Sequence, residues 1–362
     1  MNNQYKYSGF KFASKRVKSR RIYYGDLPVG GGAPISVQSM TNTKTEDVAA
    51  TVNQIKDLTA VGCELVRVAV PEMSAARKIA AIKKKITIPL IADIHFDYKL
   101  ALESIKQGID GLRINPGNIG NQKRLTKVVN AAGEAGVPIR VGVNSGSIAK
   151  KILKKYGQPT AEAMVESALA SIKILENANF YDIVVSLKAT NIWMTIKAHQ
   201  LLGSIIDYPF HIGITEAGSS LRGVIKSAVG IGSLLTHGFG DTLRVSITGD
   251  PVQEVTAGWL ILECLDLRRR GPQVISCPTC GRTEIDLVEL TRRVEKKLAG
   301  IKKPITVAVM GCVVNGPGEA READLGISGG KGEGMLFKKG KMIKKVPEDQ
   351  LLTSLMVEIR KL

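Results

Sequence analysis

Eight short runs of β-branched and apolar residues recur along the chain, each followed by a longer segment whose apolar residues fall at helical spacing. This alternation constrains the fold more than any other feature. The runs occupy residues 35–38, 65–70, 90–94, 111–115, 139–143, 183–187, 211–215 and 243–247. The segments between them include 71–85, 97–107, 160–177 and 191–206. Strands alternating with helices at this pitch imply a parallel sheet, because each strand must return to the same end through a crossover helix. Eight such units in roughly 250 residues is the size of a (β/α)8, TIM-type barrel. A doubly wound open sheet is the alternative, but no Gly-x-Gly-x-x-Gly fingerprint follows the first run. The Gly30-Gly31-Gly32 triplet precedes a strand, not a helix, and reads as a turn.

In such a barrel, function collects where the strands end. Here those ends are crowded with charge. Arg67 interrupts an apolar run. Arg113 and Asn115 lie two apart and share a face, as do Arg140, Gly142 and Asn144, and as do Ser186 and Lys188. Asp93 and His95 close the third run, Glu216 closes the seventh, and Arg244 and Ser246 occupy the eighth. A single buried arginine is commonly half of a structural salt bridge. Several arginines and a lysine converging at one mouth instead suit a small, multiply charged anion, most simply a phosphate or diphosphate.

An eighth helix over about 252–269 leads through Arg270-Gly271-Pro272 into a stretch of different character. Residues 1–271 are expected to form a basic arm plus the barrel, and 272–362 a small α+β domain: strand, helix (284–298), strand, a Gly/Lys-rich hairpin and a last helix from Pro347. This domain carries Cys277-Pro278-Thr279-Cys280, and later Cys312 at the end of the apolar run 305–309, followed by a Gly-Pro-Gly turn and Glu319. Two sulfurs on one turn and a third from a neighbouring strand make a soft, three-sulfur metal site. Structural zinc wants four nitrogen or sulfur ligands, and no His or fourth Cys follows. A [4Fe-4S] cluster on three cysteines leaves one iron for substrate, with Glu319 the nearest fourth ligand. Iron–sulfur is therefore favoured over zinc, with a redox-active disulfide behind both. Cys63 and Cys264 read as buried core thiols, and Trp193 and Trp259 as helix packing. His199, His211 and His237 lack metal-ligand spacing.

The net charge is +18 over 362 residues, concentrated in an arm (Lys11, Lys15, Arg16, Lys18, Arg20, Arg21) and a tail (Lys331, Lys338, Lys339, Lys341, Lys344, Lys345). Such a balance fits an anionic substrate, an acidic partner or simply a soluble surface. With aromatic content at 5% and no recognition-helix or stacking motif, nucleic-acid binding is not expected. No apolar run is long enough to span a membrane, and residues 1–21 lack an apolar signal core, so a cytoplasmic protein is expected.

Barrel helices run antiparallel to their strands, so the eighth helix is expected to end at the face opposite the mouth. A short linker gives about 3.3–3.6 Å per residue, against about 30 Å for a twenty-residue helix. If both sites serve one reaction, the simplest assembly is a head-to-tail homodimer in which one subunit's metal domain caps the other's barrel, with a large hinge motion the alternative.

Several motifs resemble the bacterial hydroxymethylbutenyl diphosphate synthases. They are Ser36-Val37-Gln38-Ser39-Met40-Thr41-Asn42-Thr43, Ala92-Asp93-Ile94-His95-Phe96, Arg113-Ile114-Asn115-Pro116-Gly117, Gly213-Ile214-Thr215-Glu216-Ala217-Gly218, Cys277-Pro278-Thr279-Cys280-Gly281-Arg282, and Gly311-Cys312 through Glu319. They occur in order over nearly the whole chain, without the long insertion of the plant type. The resemblance implies reduction of methylerythritol cyclodiphosphate, with ring opening and loss of water, in isoprenoid biosynthesis. It implies that Arg67, Arg113, Asn115, Arg140, Asn144, Lys188, Arg244 and Ser246 hold the cyclic diphosphate, with Asp93 and His95 positioning it. It also implies that Cys277, Cys280, Cys312 and Glu319 hold a [4Fe-4S] cluster, with Glu319 giving way to substrate, and that reduced ferredoxin or flavodoxin is the donor. Glu216, closing its strand at the mouth, is the candidate acid/base residue. Rival readings are a pterin-binding-type barrel with a zinc module, and a basic nucleic-acid-binding protein.

Overall fold

The computed structural model describes residues 16–115, 119, 122–312 and 320–362. Glu319, Lys11 and Lys15 lie outside the described residues. The chain divides after Arg268 into two compact units.

The first unit is the barrel. A hairpin, β1 (Ile22–Tyr24) and β2 (Leu27–Val29), precedes eight parallel strands: β3 (Ser36–Met40), β4 (Leu65–Ala69), β5 (Leu90–Asp93), β6 (Gly111–Ile114), β7 (Ile139–Asn144), β8 (Ile183–Lys188), β9 (His211–Ile212) and β10 (Thr242–Leu243). They run in the order β8-β7-β6-β5-β4-β3-β10-β9. The bridge Val185↔Phe210, with Val185 N donating to Pro209 O at 2.9 Å, joins the two ends of that order and closes the ring. All eight expected strand runs are present.

Around the ring lie α1 (Val48–Ala60), α2 (Met73–Ala76), α3 (Ile79–Lys83), α4 (Tyr98–Lys106), α5 (Gln122–Glu134), α6 (Lys150–Tyr156), α7 (Ala161–Glu176), α8 (Ile192–Gly203), α9 (Ser220–Thr236) and α10 (Pro251–Cys264). Several start where a polar side chain satisfies a free backbone N–H: Thr160 accepts from Ala163 N at 3.1 Å and Asn191 from Met194 N at 2.9 Å. The segment 71–85, expected as one helix, is two short ones. The eighth helix stops at Cys264 instead of continuing to 269, because Asp266 takes a left-handed backbone (φ 52°). That reversal sends Arg268 back to Glu64 Oε2 at 2.7 Å and to Ile35 O at 2.6 Å, both just ahead of strand N-termini. The chain thus leaves the barrel at the face opposite the strand C-termini.

The interior rows change character along the barrel axis. At the N-terminal end, Leu65, Ile91 and Val184 pack with Ile22, Tyr24 and Val29 of the hairpin, which plugs the floor. A Cβ at Gly111 would lie 2.3 Å from the Tyr24 ring, so the absent side chain is what admits the plug. This hairpin was not expected from the sequence. One layer up, the inward positions turn polar, and at the C-terminal end they are ionic. Residues 16–21 of the arm strap the floor: Arg16 pairs with Asp241, and Arg20 stacks 4.2 Å over the Tyr208 ring and pairs with Asp207. Two further expectations are corrected. Cys264 is exposed, because it ends α10 on its outer side, and Trp193 is 80% exposed at the start of α8. Cys63 is buried, and Trp259 donates to Gly62 O at 2.9 Å while packing under Arg268.

The second unit is a five-stranded sheet in sequential order: β11 (Gln273–Ser276), β12 (Thr306–Met310), β13 (Leu325–Gly329), β14 (Glu333–Lys338) and β15 (Lys341–Pro347). The first three strands are parallel, and β14 pairs antiparallel with both β13 and β15. One face is covered by α11 (Leu287–Leu298), capped by Asp286, and by α12 (Leu351–Arg360), each starting a few residues later than expected. Among the described residues no helix is long and apolar enough to cross a membrane.

Tyr24 fills the floor, but its hydroxyl has no hydrogen-bond partner among the described residues. Truncation by Tyr24→Ala is expected to cost about 3–5 kcal/mol in denaturant unfolding, as for large aromatic deletions, while Tyr24→Phe stays within about 1 kcal/mol of the parent. Equal losses in both would contradict a packing role.

Candidate functional site

The mouth at the strand C-termini is a cavity of about 190 Å³ lined by Arg67, Asp93, His95, Arg113, Asn144, Ser186, Lys188, Ile214, Thr215, Arg244 and Ser246. Of the residues expected to bind an anion, all but Asn115 and Arg140 are on this wall. Asn115 is half-buried beyond β6. Arg140 is only 1% exposed and lies a layer below, where its Nη1 donates to Gln38 Oε1 at 2.6 Å and its Nε and Nη2 have no partner among the described residues. Burial, chiefly, brings the Arg140 guanidinium down to about 10.

Strand alternation explains the convergence. Arg67 and Asp93 sit at inward positions two residues beyond the floor residues Leu65 and Ile91, Arg113 is the ladder partner of Asp93, and Lys188 lies four residues beyond Val184 on the same parity. Two glycines make the room. A Cβ at Gly142 would lie 2.9 Å from Arg113 Nε, and one at Gly213 would lie 3.0 Å from Lys188 Nζ and 2.5 Å from Arg244 O.

Asp93 is the pivot. Its Oδ1 accepts from Arg113 Nη1 at 3.1 Å, its Oδ2 lies 3.6 Å from Arg67 Nε, and His95 Nε2 is 3.5 Å from Oδ1. Burial alone would raise this carboxyl, but Arg67 foremost, with His95 and Arg113, overrides it and holds it well below the usual carboxylate range. Asp93 therefore stays ionised and fixes two arginines.

Arg244 is held by a carboxylate the sequence reading missed. Glu254, 3% exposed in the first turns of α10, accepts from Arg244 Nε and Nη2, both at 3.2 Å, and also from Ser39 Oγ and Ile247 N at 3.1 Å each. The available signal was an acidic residue inside an otherwise apolar helix. His211 was also missed as a supporting group. It is buried, its Nδ1 lies 2.7 Å from Thr242 Oγ1, and its Nε2 lies 3.2 Å from Lys188 Nζ. Burial first, then Lys188 and the arginines, push the His211 imidazole far below its ordinary value, so it is neutral. Lys188 is likewise depressed well below an ordinary lysine, by burial first and by Arg67, Arg140, Arg244 and Arg113 after it.

The charges do not balance. Among the described residues, the carboxylates that Arg67, Arg113, Arg140, Lys188 and Arg244 face are those of Asp93 and Glu254. The mouth is a cage of basic side chains short of carboxylates, and an anion entering it opposes the depression of Lys188. Glu216 stands at its edge, exposed, with a left-handed backbone (φ 53°) rare for a residue with a side chain. Its Oε2 accepts from Thr190 Oγ1 at 2.7 Å.

In the second unit, Cys277 and Cys312 follow the C-terminal ends of the adjacent parallel strands β11 and β12, and Cys280 is on the turn after Cys277. Gly311 N donates to Cys277 Sγ at 3.3 Å. A hydrogen bond from the Arg282 backbone, chiefly, lowers the exposed Cys280 thiol. A Cβ at Gly311 would lie 3.0 Å from the Thr283 side chain, so the glycine lets the cysteine loop settle over the end of β12. Among the described residues no three His, Cys, Asp or Glu side chains are gathered closely enough to hold a metal ion, and the expected fourth ligand, Glu319, lies outside them. Three free thiols at one sheet end, with backbone N–H groups turned toward sulfur, nevertheless fit an iron–sulfur group in donor chemistry.

Fold and site define an anion-binding (β/α)8 barrel joined to a cysteine-bearing α+β unit. The chain belongs to the GcpE family: residues 19–259 match the GcpE TIM-barrel domain and residues 273–361 the GcpE protein C-terminal domain. It is 58% identical over 347 residues to 4-hydroxy-3-methylbut-2-en-1-yl diphosphate synthase (flavodoxin) of Geobacter sulfurreducens, covering 96% of this chain and 98% of that one. It is 59% identical over 347 residues to the protein of that name from Caldanaerobacter subterraneus, covering 96% and 98%.

A buried lysine with a depressed proton affinity destabilises the free protein. Both states are protonated below its folded value, where the cost is full, and the cost fades as pH rises toward an ordinary lysine's value. Lys188→Met is therefore expected to stabilise the free protein at pH 7 by about 1 kcal/mol or more, while weakening pyrophosphate binding at least tenfold by calorimetry. A variant both less stable and equally good at binding would contradict this account.

Proposed function

We propose that this chain catalyses the two-electron reductive ring opening and dehydration of 2-C-methyl-D-erythritol 2,4-cyclodiphosphate to 4-hydroxy-3-methylbut-2-enyl diphosphate, in isoprenoid biosynthesis. Two electrons and a proton enter, the ester C–O bond of the ring and one C–OH bond break, a C=C bond forms and water leaves. The observation that carries this reading is the uncompensated cation cage in a mouth of small volume. The names of the close relatives supply the particular diphosphate.

Arg67, Arg113, Lys188 and Arg244 bind the diphosphate oxygens, where buried cations act at far higher strength than in water. Asn144 and Ser246 add hydrogen bonds from the wall, and Arg140 acts from below through its charge. Asp93 orients Arg67 and Arg113 and, with His95, sets the edge of the site; Glu254 does the same for Arg244. Asn115 belongs to the rim. Glu216, held by Thr190, delivers the proton to the departing hydroxyl. In residues 272–362, Cys277, Cys280 and Cys312 would hold a [4Fe-4S] cluster, with Glu319 as the exchangeable fourth ligand. Such a group would supply electrons one at a time and Lewis acidity for the ring opening. Reduced flavodoxin, or ferredoxin, is the donor.

The barrel portion, residues 1–271, ends at the face away from its own mouth, as the Arg268 contacts to Glu64 and Ile35 indicate. We infer a head-to-tail homodimer, in which the cysteines of one copy serve the barrel of the other. Its place of action is the cytoplasm.

Protein purified without oxygen is expected to contain iron and to give, after reduction, an electron paramagnetic resonance signal that changes when the cyclodiphosphate is added. Zinc without iron would overturn the redox reading and leave only the anion-binding barrel. Loss of the proton donor in Glu216→Gln should lower kcat about a hundredfold or more with little change in KM. Thr190→Val should lower kcat by about tenfold, the worth of one hydrogen bond to a carboxylate, and Thr190→Ser should recover it. Equal KM and kcat effects in the valine and serine variants would rule out a positioning role for the hydroxyl.

A further inference from the structure

The lysine-rich tail belongs to the second unit. Lys338, Lys339, Lys341, Lys344 and Lys345 all lie exposed on the β14–β15 hairpin. Among the described residues of the second unit, Arg292 pairs with Glu289 and Lys361 with Glu358, pairs in which these five lysines take no part. β15 is the outer edge of its sheet. Lysines on a free edge commonly guard it against pairing with another chain. A guarding strand, however, keeps apolar side chains off its open edge, and this one exposes Met342 by 54% and Ile343 by 44% among the lysines. The ladder shifts register here, pairing Lys344 with Leu336 and Met342 with Phe337, so that Ile343 is pushed out of line. A small apolar centre ringed by cations is the anatomy of a transient, electrostatically guided interface.

What lies behind this patch gives it a direction. Phe337, the ladder partner of Met342, is buried in one cluster with Ala308 and Met310, against which Cys277, Ile275 and Met335 pack. Packed side chains therefore run from the lysine-ringed edge to the cysteine end of the sheet. We propose that this edge is the docking surface for an acidic one-electron carrier protein, a reduced flavodoxin, delivering electrons to the group held by Cys277, Cys280 and Cys312. The inference rests on the activity proposed above. At each encounter the anionic flavin hydroquinone loses one electron to become the neutral semiquinone, and the cysteine-held group gains it. Two encounters supply the two electrons of the reaction. No aromatic side chain is exposed among these lysines, which disfavours single-stranded nucleic acid as the occupant.

The test uses the full-length, cluster-loaded protein and a purified bacterial flavodoxin. Charge reversal in Lys341→Glu/Lys344→Glu/Lys345→Glu should raise the Kd for flavodoxin at least tenfold at low salt and flatten its dependence on salt. Lys296→Glu/Lys297→Glu, on the exposed side of α11, should leave the Kd within twofold of the parent. Far-ultraviolet circular dichroism and turnover driven by a small chemical reductant should match the parent in both variants. If the parent turns over the cyclodiphosphate with reduced flavodoxin but the triple variant binds flavodoxin equally well, the docking surface is wrong and the activity stands. If the two variants weaken binding alike, a general charge effect replaces a docking surface. If the parent turns over nothing with flavodoxin and the cyclodiphosphate, the activity falls and the surface with it. Binding of poly(U) that is lost in the triple variant, with flavodoxin affinity unchanged, would assign the edge to nucleic acid and overturn the proposal.

Discussion

Repulsion among the cations inside the barrel is the constraint on which the rest of this structure depends. Arg67, Arg113, Arg140, Lys188 and Arg244 share one interior, where low polarity strengthens every charge interaction. The fold answers part of it. Asp93 clamps Arg67 and Arg113, Glu254 clamps Arg244, Gln38 takes one edge of Arg140, and a neutral His211 faces Lys188. What stays unanswered is the affinity of the mouth for an anion. Stability is spent here in return for binding, and the apolar floor is where the barrel recovers it. Tyr24 seals that floor from a hairpin outside the repeat, so the charged layer is open to solvent at one end only.

The two chemistries of the chain are carried by separate units, each with its own core. The barrel binds and orients charge; the sheet of the second unit brings thiols to the ends of parallel strands. The turn at Asp266 and the Arg268 contacts end the barrel at its closed face. That exit is the ground for the head-to-tail dimer proposed above.

Much of this was legible in the residues. Period-two runs separated by helical segments were enough for eight parallel strands, and alternation along a strand was enough to set Arg67, Arg113 and Lys188 on one inner surface. Arg140 shows where that argument stops. Its parity is correct, but depth along the axis depends on strand stagger, which period alone does not carry, and it lies below the cavity wall. The roles of Glu254 and His211 come from contacts between separate elements, α10 with β3 and β9 with β8, which pattern within one element does not carry. The plugging hairpin was obscured by its shortness, three residues per strand, and by the basic residues before it. Residue type alone puts Trp193 and Cys264 in the core, but the helices that carry them turn those positions outward.

The central claim is that the mouth is a cation cage whose missing anion is a diphosphate. Calorimetric titration of the protein with the cyclodiphosphate, in buffers of different ionisation enthalpy at mildly alkaline pH, tests it directly. The account predicts tight binding with net uptake of protons, because the arriving anion restores the proton to Lys188. Binding without proton uptake, or no binding, would contradict it.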